Sequence, residues 1–460
     1  MHDHWLETEF ASLYLEELLK ESILASGRTA PNPTVAALAF DSTRPEDRTS
    51  GATEPPGKRH AEIVALDRFQ SQFGRSPDSL IVTLEPCSKT GRTAPCVDRI
   101  RSIPELQQIY IGGLDPGLSG EGVRLLQHSG RSVYLPRTWP VSQGSSSLAN
   151  RSVFSNRIQH RPAGLESFLS GLGRLYGLFP ASFAHRLLYG RPRMILKAAS
   201  DPTGCMGDSS SRVMVSGREA LQAGQLLRRV VDAIIVGPRT VLVDEPSLDW
   251  RADPRGIELG PSSFDTESTV DTPQKMVDSR SIYDASNQRS FHYLKSPDPF
   301  IEALLRYASE SQMYKPEFDH QPVRIFLMPE SGRSLQRFHE SQKQIELSGG
   351  PEPIFWTLSK KKTPGDLPSM KDPLFGSALL RNLSELGFNT VLVEGGAGLH
   401  SSLRSILQPE DRFYWLRRKE PLDVSNFEQP VMLPAYLKAL PELQSIDLGL
   451  DELVAFAGRS

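Results

Sequence analysis

Three potential metal ligands within one short segment constrain this chain more than any other feature of its sequence. His60 is followed by Ala61 and Glu62, and the cysteines Cys87 and Cys96 each come directly after a proline. The chain of 460 residues has three cysteines in all, so two of the three fall in this segment. One imidazole and two thiolates can hold zinc and leave its fourth tetrahedral position for water. A fold that uses this set must bring the three side chains to one point.

The residue two positions after the histidine adds the remaining group that a hydrolytic zinc site needs. Zinc lowers the pKa of bound water from about 15.7 to about 7, so hydroxide can attack an amine-bearing ring carbon at neutral pH. A carboxylate outside the ligand set then carries protons to the ring nitrogen and to the leaving amine. Glu62 has this place if His60 and Glu62 open a helix. The order H-x-E, then P-C and a second C, is the signature of zinc deaminases acting on amino-pyrimidine or amino-purine rings.

Other interpretations of the same residues remain open. A His-x-Glu tripeptide is common, and Cys87 and Cys96 could be unrelated buried thiols, a disulfide or ligands of a structural zinc. A structural site would normally need a fourth protein ligand, and Glu62 is the only nearby candidate. We therefore predict a catalytic zinc site with His60, Cys87 and Cys96 as ligands and Glu62 as proton carrier. A non-enzymatic zinc module with an attached interaction domain is the alternative from another class.

Helices and strands are predicted to alternate around these residues. Periodicity predicts a helix over residues 13–26, a helix opening at 60, and strands over 34–40, 80–84 and 108–111. Pro86 fits the first turn of a further helix, whose dipole would favour the Cys87 thiolate. The polar, proline-rich stretch 42–57 is predicted to be a surface loop. This alternation predicts an α/β fold in which the ligands lie at helix N-termini above the strand ends.

The loop between the two cysteines points to one family. Most zinc deaminases place these cysteines a few residues apart, whereas here Ser88-Lys89-Thr90-Gly91-Arg92-Thr93-Ala94-Pro95 separates them. The loop resembles, position by position, the Cys-Ser-x-x-Gly-[Arg/Lys]-Thr-x-Pro-Cys loop of the bifunctional riboflavin-biosynthesis deaminase/reductases. Residues 31–35 are similar to that family's Pro-Asn-Pro-x-Val segment, and residues 111–122 to its strand and Asp-Pro…Gly-x-Gly turn.

The resemblance implies a cytidine-deaminase-like first domain, its substrate and two residues that would bind it. The family acts on a phosphoribosylated diaminopyrimidinone, and Asn32 and Arg92 would contact this molecule. Without the family, Asn32 would be an ordinary turn residue and Arg92 a solvated loop charge. The long loop between the cysteines and the lack of a basic face disfavour a nucleoside or a tRNA adenosine as the substrate.

The second half of the chain resembles the reductase part of the same family. Residues 194–200, 226–251 and 390–399 carry this resemblance, and in the last segment two glycines directly follow an apolar strand. Such glycines let backbone amides approach a diphosphate at the start of the next helix. The resemblance implies a dihydrofolate-reductase-like fold and NADPH-dependent reduction of the ribosyl group to a ribityl chain. It implies substrate contacts from Ser211, Arg228, Leu248, Arg251 and Glu394, and cofactor contacts from Lys197, Thr240, Asp244, Gly395 and Gly396.

Three departures from the family pattern fall in this reductase-like part. Asp201-Pro202-Thr203-Gly204 stands where the family has Ser-x-Asp-Gly, residues 213–215 replace Trp-Ile-[Ser/Thr], and the basic stretch 413–419 replaces Pro-x-Leu-Leu-Gly. The absence of one polar interaction with a cofactor weakens binding by about 1 to 3 kcal/mol. We therefore predict weak NADPH binding. The alternative function is a deaminase whose second domain has lost catalysis and serves assembly or stability.

Length and pattern also predict the division of the chain. A chain of this length is expected to hold two or three domains. We predict a zinc-dependent deaminase domain over residues 1–145, a linker with an extra helical segment over 146–191, and a reductase-like domain over 192–460. The helical segment is predicted to pack against the domains, with a membrane-surface helix as the other option. An irregular insertion near residues 253–321 is predicted to contain one helix, at 299–309.

Charge and cysteine usage limit the partners. The formal net charge is −3 with scattered charges, which predicts no nucleic-acid partner. No apolar run approaches the roughly 20 residues of a membrane span. Reduced, ligating cysteines and an N-terminus without the layout of a signal peptide predict a cytoplasmic protein. The predicted cofactors are Zn²⁺ and NADPH, and the family resemblance favours a homodimer formed through the second domain.

Overall fold

The chain forms two large β-sheets with helices packed on them. The computed structural model describes residues 4–137, 163–251, 296–309, 320–329, 336–359 and 367–459. The predicted boundary at 145 and most of the predicted insertion at 253–321 lie outside the described residues. The domain limits therefore stay predictions.

The first sheet has five strands in the order β2-β1-β3-β4-β5. Its strands and helices are α1 (Phe10–Ala25), β1 (Ala36–Asp41), β2 (Arg44–Ala52), α2 (Ala61–Phe73), β3 (Ser79–Val82), α3 (Cys96–Arg101), β4 (Gln108–Ile111), α4 (Glu121–His128) and β5 (Ser132–Tyr134). β1 pairs antiparallel with β2 and β3, whereas β3, β4 and β5 are parallel. Every residue of β1 and β3 is buried, as expected for inner strands covered on both faces.

Two elements predicted for this part are wrong. Residues 42–57 are not a loop, because β2 occupies most of them as an edge strand. An edge strand tolerates Pro45 and polar side chains, and Arg48 of β2 forms an ion pair with Glu17 of α1. The helix predicted after Pro86 begins instead at Cys96, since the Val97 N–H donates to the Cys87 carbonyl and holds the Cys87 segment across the start of α3.

The second sheet has nine strands in the order β11-β10-β9-β8-β12-β6-β13-β16-β15. The first seven strands in this spatial order, from β11 through β13, pair in parallel. The last two, β16 and β15, pair antiparallel and form one edge of the sheet. The remaining strands and helices of the described chain are α5 (Ala163–Leu178), α6 (Pro180–Tyr189), β6 (Arg193–Ser200), β7 (Cys205–Asp208), α7 (Arg218–Arg229), β8 (Ala233–Val236), α8 (Pro238–Asp244), α9 (Pro299–Ser309), β9 (Val323–Pro329), α10 (Gln336–Leu347), β10 (Ile354–Ser359), β11 (Leu367–Pro368), α11 (Phe375–Glu385), β12 (Thr390–Glu394), α12 (Ala397–Leu403), β13 (Arg412–Arg418), β14 (Pro430–Met432), α13 (Ala435–Lys438), β15 (Glu442–Leu448) and β16 (Asp451–Ala457). The predicted helix at 299–309 is α9.

Helices α5 and α6, which form the predicted extra helical segment, pack between the two sheets. The Phe168 ring of α5 meets the Trp5 ring edge-on, with ring centres 5.0 Å apart. The Tyr176 hydroxyl of α5 donates to the Leu114 carbonyl. On the other side, Arg186 of α6 donates to Asn389 beside the second sheet. The apolar side of this helical pair is therefore used for packing inside the molecule, and none of the helices in the described ranges has both the length and the apolar character of a membrane span.

Candidate functional site

The three predicted metal ligands meet, although they come from different elements. His60 directly precedes α2 with extended backbone, Cys87 follows β3 in a loop, and Cys96 is the first residue of α3. The His60 Nδ1 lies 3.3 Å from the Cys96 Sγ and 3.5 Å from the Cys87 Sγ. The potential ligand atoms of all three lie within 4.8 Å of one another. Zinc–sulfur and zinc–nitrogen bonds of about 2.3 and 2.0 Å put neighbouring ligands of a tetrahedral site about 3.5 Å apart, so this donor set is compatible with zinc.

The main chain also supports one of the two sulfur atoms, the Cys87 Sγ. The Cys96 N–H, at the start of α3, donates to the Cys87 Sγ at 3.2 Å. Hydrogen bonding with Cys96 and with His60 outweighs burial and lowers the pKa of Cys87 below its usual value. A thiolate is the form in which cysteine binds metals, so the surroundings of Cys87 favour the binding form.

Glu62 lies beside these groups on the first turn of α2. Glu62 is 4% exposed, so its carboxyl group is almost completely removed from solvent. Burial and the nearby Cys87 raise its pKa to about 7. A carboxyl group with a pKa close to neutrality can both accept and donate a proton near pH 7, as general acid–base chemistry requires.

Glu85 is a structural part of this site that was not identified from the sequence. It is buried between β3 and Cys87, and its carboxylate accepts from the N–H groups of Asp115 at 3.1 Å and Gly122 at 2.8 Å. A Cβ at Gly122 would lie 2.3 Å from the Pro86 carbonyl oxygen, so only glycine allows this approach. Glu85 therefore fixes the cysteine loop against the start of α4. An acidic residue between an apolar strand and a Pro-Cys pair was the available signal.

The two predicted substrate contacts of the first part lie in loops. Asn32 is half-buried in the turn before β1, where its N–H donates to the Thr29 carbonyl at 2.8 Å. Arg92 is exposed in the loop between Cys87 and Cys96. Their roles as substrate contacts stay predictions.

In the reductase-like part, three of the predicted side chains converge at the end of β12. The Arg228 guanidinium donates to both carboxylate oxygens of Glu394, at 2.7 and 2.9 Å. The Lys197 Nζ lies 3.8 Å from the same carboxylate. Burial acts to raise the pKa of Glu394, but the charges of Arg228 and Lys197 outweigh it and lower this pKa to about 2. The acid is thus ionised and neutralised by the chain's own cations.

The glycine loop lies next to this charged group. Gly395 follows Glu394 with φ near +159°, and Gly396 precedes α12. A Cβ at Gly395 would lie 3.6 Å from the Thr240 Oγ1 and 3.5 Å from the Gly237 nitrogen. The turns after β8 and β12 are therefore neighbours at the C-terminal edge of the parallel strands, where open α/β sheets bind ligands.

The other four predicted residues of this part have different surroundings. Arg251 is exposed and forms an ion pair with Asp249. The Asp249 carbonyl also accepts a hydrogen bond from Arg228, so Arg251 lies next to the group of Lys197, Arg228 and Glu394. Leu248 is buried with a left-handed φ of 56°. Asp244 ends α8, and burial raises its pKa. Ser211 is exposed and donates to Asp208 at 3.3 Å on a separate segment.

The first departure from the family pattern, at residues 201–204, forms a turn that two distant segments of the chain also contact. The Asp201 Oδ1 accepts from the Thr203 hydroxyl and the Cys205 N–H, and its Oδ2 accepts from the Leu422 N–H. The Lys438 Nζ donates to the Thr203 carbonyl at 3.0 Å. These polar groups are therefore committed to contacts within the chain.

Comparison with known proteins gives relatives of one kind. No family model matches the chain. It is 29% identical over 245 residues to the riboflavin biosynthesis protein RibD of Aquifex aeolicus, which covers 52% of this chain and 58% of that protein. The RibD of Mycobacterium tuberculosis is 29% identical over 237 residues, and the match covers 51% of this chain and 58% of that protein. The RibD of Chlamydia muridarum is 27% identical over 369 residues, and the match covers 78% of this chain and 73% of that protein. The match thus spans less than two thirds of the first two relatives.

Solved structures match almost the whole chain. RibD of Acinetobacter baumannii superposes with a TM-score of 0.62 at 19% identity and covers 98% of this chain and 99% of its own. The diaminohydroxyphosphoribosylaminopyrimidine deaminase/5-amino-6-(5-phosphoribosylamino)uracil reductase of Thermotoga maritima gives 0.59 at 20% identity, with the same coverage. At these identities the similarity shows the fold, and the predicted α/β class is confirmed.

Proposed function

Because this chain is a homologue of the bifunctional riboflavin-biosynthesis proteins, we propose that its first part hydrolytically deaminates 2,5-diamino-6-(5-phosphoribosylamino)pyrimidin-4(3H)-one. One observation carries this proposal. His60, Cys87 and Cys96 converge within 4.8 Å, and the carboxyl group of Glu62 is buried beside them. This is the set of groups that zinc deaminases of amino-substituted rings require.

The proposed metal ligands are His60, Cys87 and Cys96. When bound there, zinc supplies a Lewis acid that makes water available as a nucleophile at neutral pH. The three side chains offer one nitrogen and two sulfur donors, and the backbone N–H of Cys96 supports the Cys87 thiolate. Glu62 is not one of the grouped donors, so it would stay outside the ligand set and could serve proton transfer.

Glu62 is proposed to move the protons of the reaction. It accepts a proton from the attacking water and delivers it to the ring nitrogen. It then takes the proton of the new hydroxyl group on the ring carbon and gives it to the amine, which leaves as ammonia while the carbonyl forms. Its position on the first turn of α2, two residues after His60, keeps the carboxyl group close to the ligands. The surrounding burial excludes bulk water, which would otherwise exchange these protons.

Asn32 and Arg92 are proposed to bind the two ends of the substrate. The amide of Asn32 can pair with the pyrimidine edge, which offers donors and acceptors. Arg92 is exposed on the cysteine loop and can pair with the phosphate through its planar guanidinium. The proposed substrate is therefore a small phosphoribosyl pyrimidine rather than nucleic acid.

Ammonia release tests the first activity. The protein is treated with a chelator, assayed with the diaminopyrimidinone phosphate, and assayed again after Zn²⁺ is restored. We expect ammonia only from the zinc-loaded protein. Equal release before and after metal removal would contradict the proposal.

NADPH-dependent reduction of the deaminated product is a second candidate function. The Gly395 turn, which lies beside Gly237 and Thr240 at the C-terminal edge of the parallel strands, supports it. The closed turn at Asp201 and the pairing of Glu394 with two cations support the other possibility, a reductase-like part with weak NADPH binding that serves assembly. Calorimetric titration with NADPH separates the two, because a dissociation constant in the micromolar range or tighter requires an open cofactor site.

Assembly and location complete the proposal. We propose a homodimer through the second part, which light scattering on the purified chain tests. A cytoplasmic location is supported by Cys87, Cys96 and Cys205, which are all free thiols.

A further inference from the structure

The turn that carries Asn32 is held from outside its own domain. Two consecutive carbonyl groups, those of Pro31 and Asn32, accept hydrogen bonds from the helical pair and from the second sheet. We propose that Asn389 and Arg186 are positioning residues for Asn32, so that the reductase-like part and the helical pair α5–α6 complete the deaminase site. This inference rests on the proposed deamination, in which Asn32 binds the pyrimidine.

Asn389 is fixed at both ends of its amide group. Its Nδ2 donates to the Asn32 carbonyl at 2.9 Å, and its Oδ1 accepts from the Arg186 Nε at 2.8 Å. A guanidinium can only donate, so the oxygen of Asn389 must face Arg186 and its nitrogen must face Asn32. The side chain is 4% exposed, which leaves little competition from water.

The backbone of Asn389 is equally constrained by the second sheet. Its N–H and that of Thr390 both donate to the Asp232 Oδ2, at 2.7 and 2.9 Å. Its carbonyl accepts from the Arg193 N–H at 2.9 Å, beside the start of β6. Asn389 is therefore a rigid extension of the central strands, since β12, which pairs with both β6 and β8, begins at the next residue.

Arg186 closes the contact from the helical pair. Its terminal nitrogen donates to the Pro31 carbonyl at 2.7 Å while its Nε holds Asn389. A Cβ at Gly387, which has a φ of +82°, would lie 2.9 Å from the Pro31 Cβ, so the chain before Asn389 packs directly on this turn. Within the turn, the Asn32 N–H bonds to Thr29.

These contacts give the reductase-like part a role that does not need NADPH. The Asn32 side chain starts from a backbone whose carbonyl is bound to Asn389 and whose preceding carbonyl is bound to Arg186. A substrate contact is accurate only if its supporting groups are themselves fixed. Removal of these bonds would let the turn move and would weaken substrate binding without disturbing the metal ligands.

The test compares two amide-to-apolar substitutions. Asn389→Leu removes the bond to Asn32, and Gln408→Met removes a similar side-chain bond to the same helix α6, the 3.1 Å contact of Gln408 with His185. Arg186→Lys is a second, milder variant on the half-buried Arg186, in case Asn389→Leu folds poorly. Each protein is assayed for zinc content, for kcat and KM, and for hydrogen exchange of the turn at residues 29–34.

We expect Asn389→Leu and Arg186→Lys to raise KM by about tenfold, with kcat and zinc content retained, because uniform binding is weakened. Exchange of the Asn32 amide should rise in both, and Gln408→Met should match the wild type in both measurements. Wild-type KM and wild-type exchange in Asn389→Leu would overturn the inference. If the wild type releases no ammonia, the proposed function fails, whereas the exchange of the turn still decides whether Asn389 positions it.

Discussion

The zinc-ligand cluster and the charged group at the end of β12 differ in how their charges are balanced. In the cluster, the Cys87 thiolate and the buried Glu62 lie beside His60 and Cys96. At β12, the buried carboxylate of Glu394 is bound by Arg228 and Lys197. Buried charges must be paired or bound to metal. At β12 the chain supplies two cations, whereas in the cluster Cys87 raises the pKa of His60, which has to give up its proton before it can bind a metal ion.

This difference predicts that the deaminase-like part and the reductase-like part of the chain depend differently on their ligands. An imidazole and two thiols can exchange their protons for a metal ion, and the spacing of these three side chains fits zinc. At β12, the N–H groups that Arg228 donates to Glu394 and to the Asp249 carbonyl are already used within the chain, which reduces the free energy that they can contribute to ligand binding. The comparison predicts that the activity of the deaminase-like part depends strongly on zinc. It predicts that NADPH has only a weak effect on the reductase-like part.

The largest effect is expected from loss of a sulfur ligand. Cys87→Ser or Cys96→Ser should remove most of the zinc and with it ammonia release, because a hydroxyl is a poor zinc ligand compared with a thiolate. The control is Cys205→Ser, whose Sγ faces the Gly207 carbonyl in the second part and should leave zinc unchanged. Metal analysis of the three purified variants is the measurement. Full zinc content in Cys96→Ser would contradict the ligand assignment.

Glu62→Gln should separate metal binding from proton transfer. The amide keeps the size of the side chain but cannot take the proton, so kcat should fall by about 10²- to 10⁴-fold while zinc is retained. Initial rates of ammonia release, together with zinc content, measure both. Near-normal turnover with full zinc would remove Glu62 from the role of proton carrier.

Glu394→Gln should lower the stability of the reductase-like part rather than that of the deaminase-like part. It leaves Arg228 and Lys197 without their buried partner, so the free energy of unfolding should fall by about 3 kcal/mol at pH 6. Because the folded pKa of Glu394 is lowered from 4.5 to about 2, the stabilisation is present above pH 4.5 and is lost as the pH falls towards 2. The difference from wild type should therefore be smaller at pH 3.

Urea unfolding at the two pH values measures this effect. The control Glu452→Gln breaks the more exposed Arg417–Glu452 pair and should cost about 1 kcal/mol or less. Equal losses in both variants would show that the charged group at β12 is no more stabilising than a surface pair.

The smallest effect is expected when NADPH is added to the protein and its melting temperature is measured. If the dissociation constant is about 1 mM, 1 mM NADPH stabilises the protein by about 0.4 kcal/mol, which barely shifts the melting temperature. Zinc added to the metal-free protein should give a much larger shift. A shift with NADPH as large as that with zinc would end the contrast between the two sites.

Local patterns in the sequence predicted the local parts of this structure. The start of α2 after His60 and the glycine turn after β12 follow from short-range rules for helix starts and strand ends. The edge strand β2 was missed because its polar residues lack the alternation of a half-buried strand. The bond between Asn389 and Asn32 joins residues 357 positions apart, and no pattern in one sequence reports such a contact.

The most direct test of the account is to identify what the zinc-loaded protein makes. The diaminopyrimidinone phosphate is supplied with and without NADPH, and the products are identified by mass. We expect the same product in both reactions, with one amine replaced by oxygen, and little or no further reduction. Unchanged substrate in both reactions would contradict the account, whereas a reduced ribityl product with NADPH would establish the second candidate function in place of weak NADPH binding.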